Sequence, residues 1–240
     1  MKLFLLSGLW LIGGLYGFGS YSNSQPGTVC ITIAPQFSGQ PLVLGNKLYH
    51  TATGDSLLLN AFRFYISRVE LTGKSNAHFV EKDSYHLIDA EESGTQTIVL
   101  QDVLVGTYDS LSFYVGTDSL TNVSGAMGGD LDPTLGMYWA WNSGYVNIKM
   151  EGRSNACKTL HHAFEFHIGG YMPPYQTLRR VVLPLNNFQV QENATALIEV
   201  EADLAKFFNH IQLAMTNQVM IPSKLAGQLA DYFKGVFEIR

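Results

Sequence analysis

The sequence predicts an all-β chain, an antiparallel β-sandwich carrying a short C-terminal helix. Three observations carry that expectation. Aromatic residues make up 12% of the chain, 23 glycines punctuate it and only 15% is charged, a balance that favours pleated strands over helices. Apolar residues alternate with polar ones in short runs, the period of a half-buried strand. Turn residues separate the runs at intervals that suit a sandwich or barrel. With 240 residues and no composition shift, one large domain over residues 20–240 is expected.

The chain begins with a targeting pattern. Met1 and Lys2 form a minimal basic start, and residues 3–16 are apolar but too short for a comfortable membrane span. Gly17 and Gly19 supply the small residues that a signal peptidase accepts. Residues 1–19 are therefore read as a signal peptide, with the mature chain starting near Tyr21. No cysteine follows closely, which argues against a lipid anchor. The expected location is the periplasm or cell surface, with no membrane span after cleavage.

The strands follow in order. Residues 28–34 alternate Val29, Ile31 and Ile33 inward, and a Gly/Pro/Asn-rich stretch occupies 35–55. Residues 60–71 bury Phe62, Phe64 and Ile66, then switch parity to Val69 and Leu71; a bulge produces such a switch. Shorter runs lie at 84–89 and 96–100. Residues 110–115 turn Leu111, Phe113 and Val115 inward, and 145–150 turn Val146, Ile148 and Met150 inward. Residues 162–168 place His162, Phe164, Phe166 and Ile168 on one face, opposite His161, Glu165 and His167. Runs at 178–183 and 196–201 complete the set. Helical spacing then appears in Leu204, Phe207 and Phe208, and again from Leu225 to Phe237, with Ser223 as N-cap.

Two cysteines, Cys30 and Cys157, suggest one disulfide in an exported protein. Closing so long a loop contributes on the order of 4–5 kcal/mol in the chain-entropy account. A paired thiolate metal site is the alternative, and it too needs the two side by side.

Composition and motifs exclude several functions. A net charge of −5 with no basic run argues against a nucleic-acid partner. No nucleophile elbow, phosphate-cradling loop or HExxH motif occurs, so the chain is not expected to be an enzyme. Asp130 and Asp132 read as turn residues, since two acids fall short of a calcium site. The segment MGGDLDPTLGMYWAWNSGYVNIKMEG, residues 127–152, is the most distinctive. An extended conformation sets Trp139 and Trp141 on one face, as a core slab or as a site. Among metal donors, Glu165 and His167 share a face, His86 lies on a polar face, and Met127, Met137 and Met150 offer thioethers that suit Cu(I).

The segment MYWAWNSGY followed by NIKMEG resembles the signature of the MbnP-like family of exported copper-binding proteins. FRFYISRVEL at 62–71 resembles the family's early strand, and SYHLID at 84–89 follows in its expected place. GTYDSLSFYVGTD at 106–118 is similar to the central hairpin and glycine turn, and FHIGGYMPP at 166–174 to the form in Bacteroidetes-type members. The resemblance implies a β-sandwich that handles copper. It also implies a partner di-haem enzyme resembling a cytochrome c peroxidase, which oxidises a tryptophan to kynurenine. By motif, that residue is Trp139 or Trp141. Copper-binding members carry histidines where this chain has Ser67 and Val123, so the substitute donors are His86 and His167, with Met137 as a soft option. The competing expectation is a metal-free binding or scaffold module whose aromatic face stacks on a small or sugar-like ligand.

Overall fold

The computed structural model describes residues 24–74 and 77–240; the segment read as a signal peptide lies outside them. The first strands are β1 (Gly27–Phe37), β2 (Gln40–Pro41), β3 (Leu48–His50), β4 (Ser56–Gly73), β5 (His78–Val80) and β6 (Tyr85–Asp89). Then come β7 (Thr97–Val103), β8 (Gly106–Val115) and the short helix α1 (Ser119–Val123). Next are β9 (Tyr138–Trp139), β10 (Gly144–Arg153), β11 (Ala163–Gly169), β12 (Arg179–Val190) and β13 (Thr195–Asp203). The C-terminal part holds α2 (Leu204–Phe208), β14 (Gln218–Val219), α3 (Lys224–Phe233) and β15 (Phe237–Ile239).

Two sheets face one another. The smaller runs β15-β13-β1-β2, with β7 also on β1; the larger runs β12-β8-β4-β10-β11-β14, with β3, β5 and β6 on the far edge of β4 and β9 on β10. The pairing is mixed rather than purely antiparallel, because β1 pairs with β13 in parallel and β11 with β14 likewise. The long chain between β1 and β13 supplies the crossover that a parallel pair requires.

Alternation fills the space between the sheets. Val29, Ile31 and Ile33 from β1 and Ile198 and Val200 from β13 meet Phe62, Phe64 and Ile66 of β4 and Phe164, Phe166 and Ile168 of β11. Phe233 of α3 closes the core edge-on against Phe64, with ring centroids 5.4 Å apart. The helix starts where the sequence marked it: the Ser223 side chain accepts the Ala226 N–H at 3.1 Å. It ends earlier than the apolar spacing suggested, because Phe237 leaves the helix to pair β15 with β13.

The parity switch in β4 is a bulge. The register shifts between Ser67 and Glu70, and Arg68 between them takes a left-handed φ of 52°. Ile66 and Val69 are thereby both buried. The run at 162–168 begins one residue later than expected, because His161 and His162 both adopt left-handed turns before β11.

The expected disulfide is absent: Cys30 and Cys157 are free thiols. Cys30 alternates with the buried Val29 and Ile31, so it faces away from the core between Leu197 and Val99. Cys157 is sealed inside the core and its Sγ reaches the Leu213 carbonyl at 3.7 Å. The small sheet therefore separates the two sulfurs, and the short Cβ–Cβ approach a disulfide needs is not met.

Candidate functional site

The outer face of the larger sheet, turned away from the core, carries the tryptophan segment. The register of β6, β4, β10 and β11 sets Asp89, Arg63, Lys149 and His167 in one row across that sheet. Residues 125–142 fold back over this face. A second apolar cluster forms beneath them from Tyr65, Leu87, Leu131, Met137, Trp139, Tyr145 and Val146.

Polar contacts pin the segment to the sheet. The Tyr65 hydroxyl donates to the Asp130 carbonyl at 3.0 Å, and the Asp130 carboxylate accepts the Leu87 N–H at 2.9 Å. The Tyr145 hydroxyl donates to the Leu131 carbonyl at 3.1 Å and accepts the Met127 N–H at 3.1 Å. Arg63 reaches the Leu135 carbonyl at 3.4 Å and Lys149 the Gly136 carbonyl at 3.5 Å. Burial pushes the Tyr65 phenol well above its ordinary range, aided by the neighbouring Tyr145, Asp130 and Asp132. Both phenols therefore stay neutral and keep a proton to donate. Asp132 caps the next turn by accepting the Thr134 N–H at 2.8 Å, as a turn residue does, whereas the Asp130 carboxylate ties the segment to β6.

A buried polar hub sets the other end of the site. Asn122 of α1 accepts the Tyr145 N–H at 2.7 Å and donates to the Thr117 hydroxyl at 2.9 Å. Asn147 accepts the Thr117 N–H at 3.0 Å and donates to the Thr177 hydroxyl at 2.9 Å. Gly116 lies against Asn147 with a φ of 106°, and a Cβ there would sit 2.4 Å from the amide carbon. These amides have no apolar signature, so sequence periodicity missed them.

The two indoles meet, but through a turn rather than an extended strand. β9 is only two residues long, and the Asn142 N–H closes back on the Trp139 carbonyl at 3.3 Å. The ring centroids lie 5.6 Å apart. Trp139 is buried, whereas Trp141 is 63% exposed. The Trp139 ring rests on Gly169 of β11, where a Cβ would lie 2.7 Å from Cζ3. Only glycine leaves room for that ring.

The substitute donors divide. Met137 is sealed at the level of β10, its carbonyl accepting the Val146 N–H at 2.9 Å. His167 lies on β11 two residues before Gly169, so the two share the outer face. Its Nε2 lies 2.7 Å from Glu151 Oε1, and Lys149 Nζ lies 3.2 Å from the same oxygen. The His167 hydrogen bond pulls the Glu151 carboxyl down to about 2, with Lys149 adding to it against the effect of burial. His86 is elsewhere. It pairs opposite the core residue Ile66, alternates with Tyr85 and Leu87, and binds Glu81 at 2.8 Å. Three inter-strand steps separate β6 from β11, about 14 Å, so His86 and His167 do not share one ion.

The two positions at which the resemblance implied histidines carry no imidazole. Ser67 is buried with its hydroxyl donating to the Gly116 carbonyl at 2.6 Å, and Val123 is 65% exposed at the end of α1. Among the described residues no group of three or more His, Cys, Asp or Glu side chains is placed to hold a metal ion. A carboxylate-imidazole cage is therefore not built. The same face carries the Met137 thioether, the His167 imidazole and two indole rings inclined at 42° to one another.

Comparison with solved structures finds the same fold in MbnP from Methylosinus trichosporium, with 15% identity, a TM-score of 0.55 and 82% of each chain covered. Comparison with curated proteins gave no match. The MbnP family model matches residues 26–221. The match spans every strand but β15, together with the folded-back segment and the indole pair, and the protein belongs to the MbnP family.

Proposed function

We propose that this chain is an exported, non-enzymatic copper-binding protein, with Met137 and His167 as donors beside the Trp139–Trp141 pair. The observation that carries this reading is the folded-back segment. It lays a sealed thioether and two neighbouring, mutually tilted indoles along the same outer face as an imidazole. Family membership supplies the association with copper. Sulfur and imidazole donors favour Cu(I) over hard cations.

The same reading makes the chain the substrate of a di-haem, cytochrome c peroxidase-like partner that converts a tryptophan to kynurenine. Trp141 is the indole an external oxidant reaches first, because 63% of it is exposed. The location outside the cytoplasm belongs to this proposal; among the described residues no helix is long and apolar enough to cross a membrane. The test combines Cu(I) titration under chelator competition with the intact mass of protein from its native host. One copper per chain and a kynurenine mass increment are expected. An unmodified mass with no copper stoichiometry removes the reading.

A second reading has its own observation. Asn142, the residue after Trp141, lines a cleft of about 160 Å³ together with Tyr171, Met172, Pro173, Tyr175 and Pro222. Met172 is 63% exposed, as Trp141 is. No charged side chain lines the cleft, and exposed aromatic faces suit an uncharged ring such as a sugar. Saccharide titration monitored by tryptophan fluorescence tests it, and an unchanged spectrum across a panel of neutral sugars argues against it.

A further inference from the structure

We infer that Glu151 is a positioning residue that fixes the tautomer of His167 and leaves its Nδ1 as the electron-pair donor. The inference rests on the reading of His167 as a copper donor and adds a role for the carboxylate behind it.

The geometry is specific. Lys149 is the cross-strand partner of His167, and Glu151 that of Glu165, so Glu151 meets His167 diagonally across β10 and β11, within reach of long side chains. Glu151 Oε1 lies 2.7 Å from His167 Nε2 and 3.2 Å from the Lys149 ammonium. A carboxylate between an ammonium and an imidazole is ionised and can only accept hydrogen bonds. His167 Nε2 must therefore carry a proton. In the neutral ring Nδ1 then carries the lone pair.

Among the described residues Nδ1 of His167 has no hydrogen-bond partner, and the one sealed side-chain polar atom without a partner is Gln36 Oε1. Nδ1 therefore keeps access to solvent. The remaining charged group on this stretch of β11, Glu165, is engaged by Gln218 at 3.1 Å. Among the described residues no hydrogen-bond donor competes for the lone pair. A carboxylate behind an imidazole, orienting the ring and raising its basicity, is the usual outer partner of a metal-ligating histidine.

Two measurements on the full chain test this. Long-range ¹H–¹⁵N correlation spectra of the metal-free protein near neutral pH read the tautomer directly. The parent should show the Nε2–H form of His167, and Glu151→Gln a mixture, since the amide can donate as well as accept. Cu(I) titration under chelator competition should then show about 10–100-fold weaker binding in Glu151→Gln, the loss typical of removing such a partner. Unchanged circular dichroism would exclude a mere folding defect. An Nδ1–H tautomer in the parent, or the same tautomer in both proteins, overturns the inference. If the tautomers behave as stated but the parent binds no copper, the positioning role stands and the copper reading falls.

Discussion

Trp139 and Trp141 stand two apart in sequence, and their environments differ completely. Strand alternation foresaw that they would meet. It did not foresee that a turn, not a strand, would bring them together with one ring buried and the other at 63% exposure. Acrylamide should therefore quench one component of the tryptophan emission far faster than the other, and Trp141→Phe should remove that fast component. Equal quenching of both would contradict the arrangement. Glu151 gives a second test at this scale. Its folded carboxyl lies near 2 against an ordinary 4.5, so its contribution to stability is full above about pH 4.5 and disappears as the pH falls towards 2. The urea midpoint of Glu151→Gln should fall less between pH 6 and pH 3 than that of the parent. The shared face of His167 with the indoles was legible in the residues, since strand alternation sets it opposite Phe166 and Ile168. The separation of His86 was not, because a polar position on a strand says nothing of which neighbours flank it.

Elements were legible where apolar periodicity was strong and obscure where polar groups set the geometry. The parity switch in β4 announced its bulge, and Ser223 announced the start of α3, because both leave a mark on local pattern. The folded-back segment 125–142 left none. It is held by phenol-to-carbonyl bonds from Tyr65 and Tyr145 and by the Asp130 carboxylate on the Leu87 N–H, with partners 14 to 65 residues away in sequence. Gly169 is the point at which this segment is most exposed to test. A methyl group there would press both on the Trp139 ring and, at 2.7 Å, on the Tyr145 carbonyl. Gly169→Ala should destabilise the chain by about 1–3 kcal/mol, the usual cost of overpacking, and shift the Trp139 emission to the red. Ser223→Ala should cost about 1 kcal/mol without changing the emission at all. A red shift in the second variant would mean that α3 and the tryptophan segment are coupled, against this account.

At the scale of the whole molecule, the all-β class and the sandwich were legible from composition and alternation. The parallel pairing of β1 with β13 was not, since register across so long a separation leaves no local signature. The same gap explains the disulfide expectation: an even cysteine count carries no information about which face of a sheet each thiol takes. A thiol reagent should modify Cys30 in the native protein and Cys157 only after unfolding, with two reactive thiols per denatured, unreduced chain. The proposed copper site draws on both fold and residues. The most direct measurement is X-ray absorption on the protein loaded with one equivalent of Cu(I). The account predicts a sulfur scatterer that vanishes in Met137→Leu, together with an imidazole contribution that vanishes in His167→Ala. A first shell that both substitutions leave unchanged would contradict it.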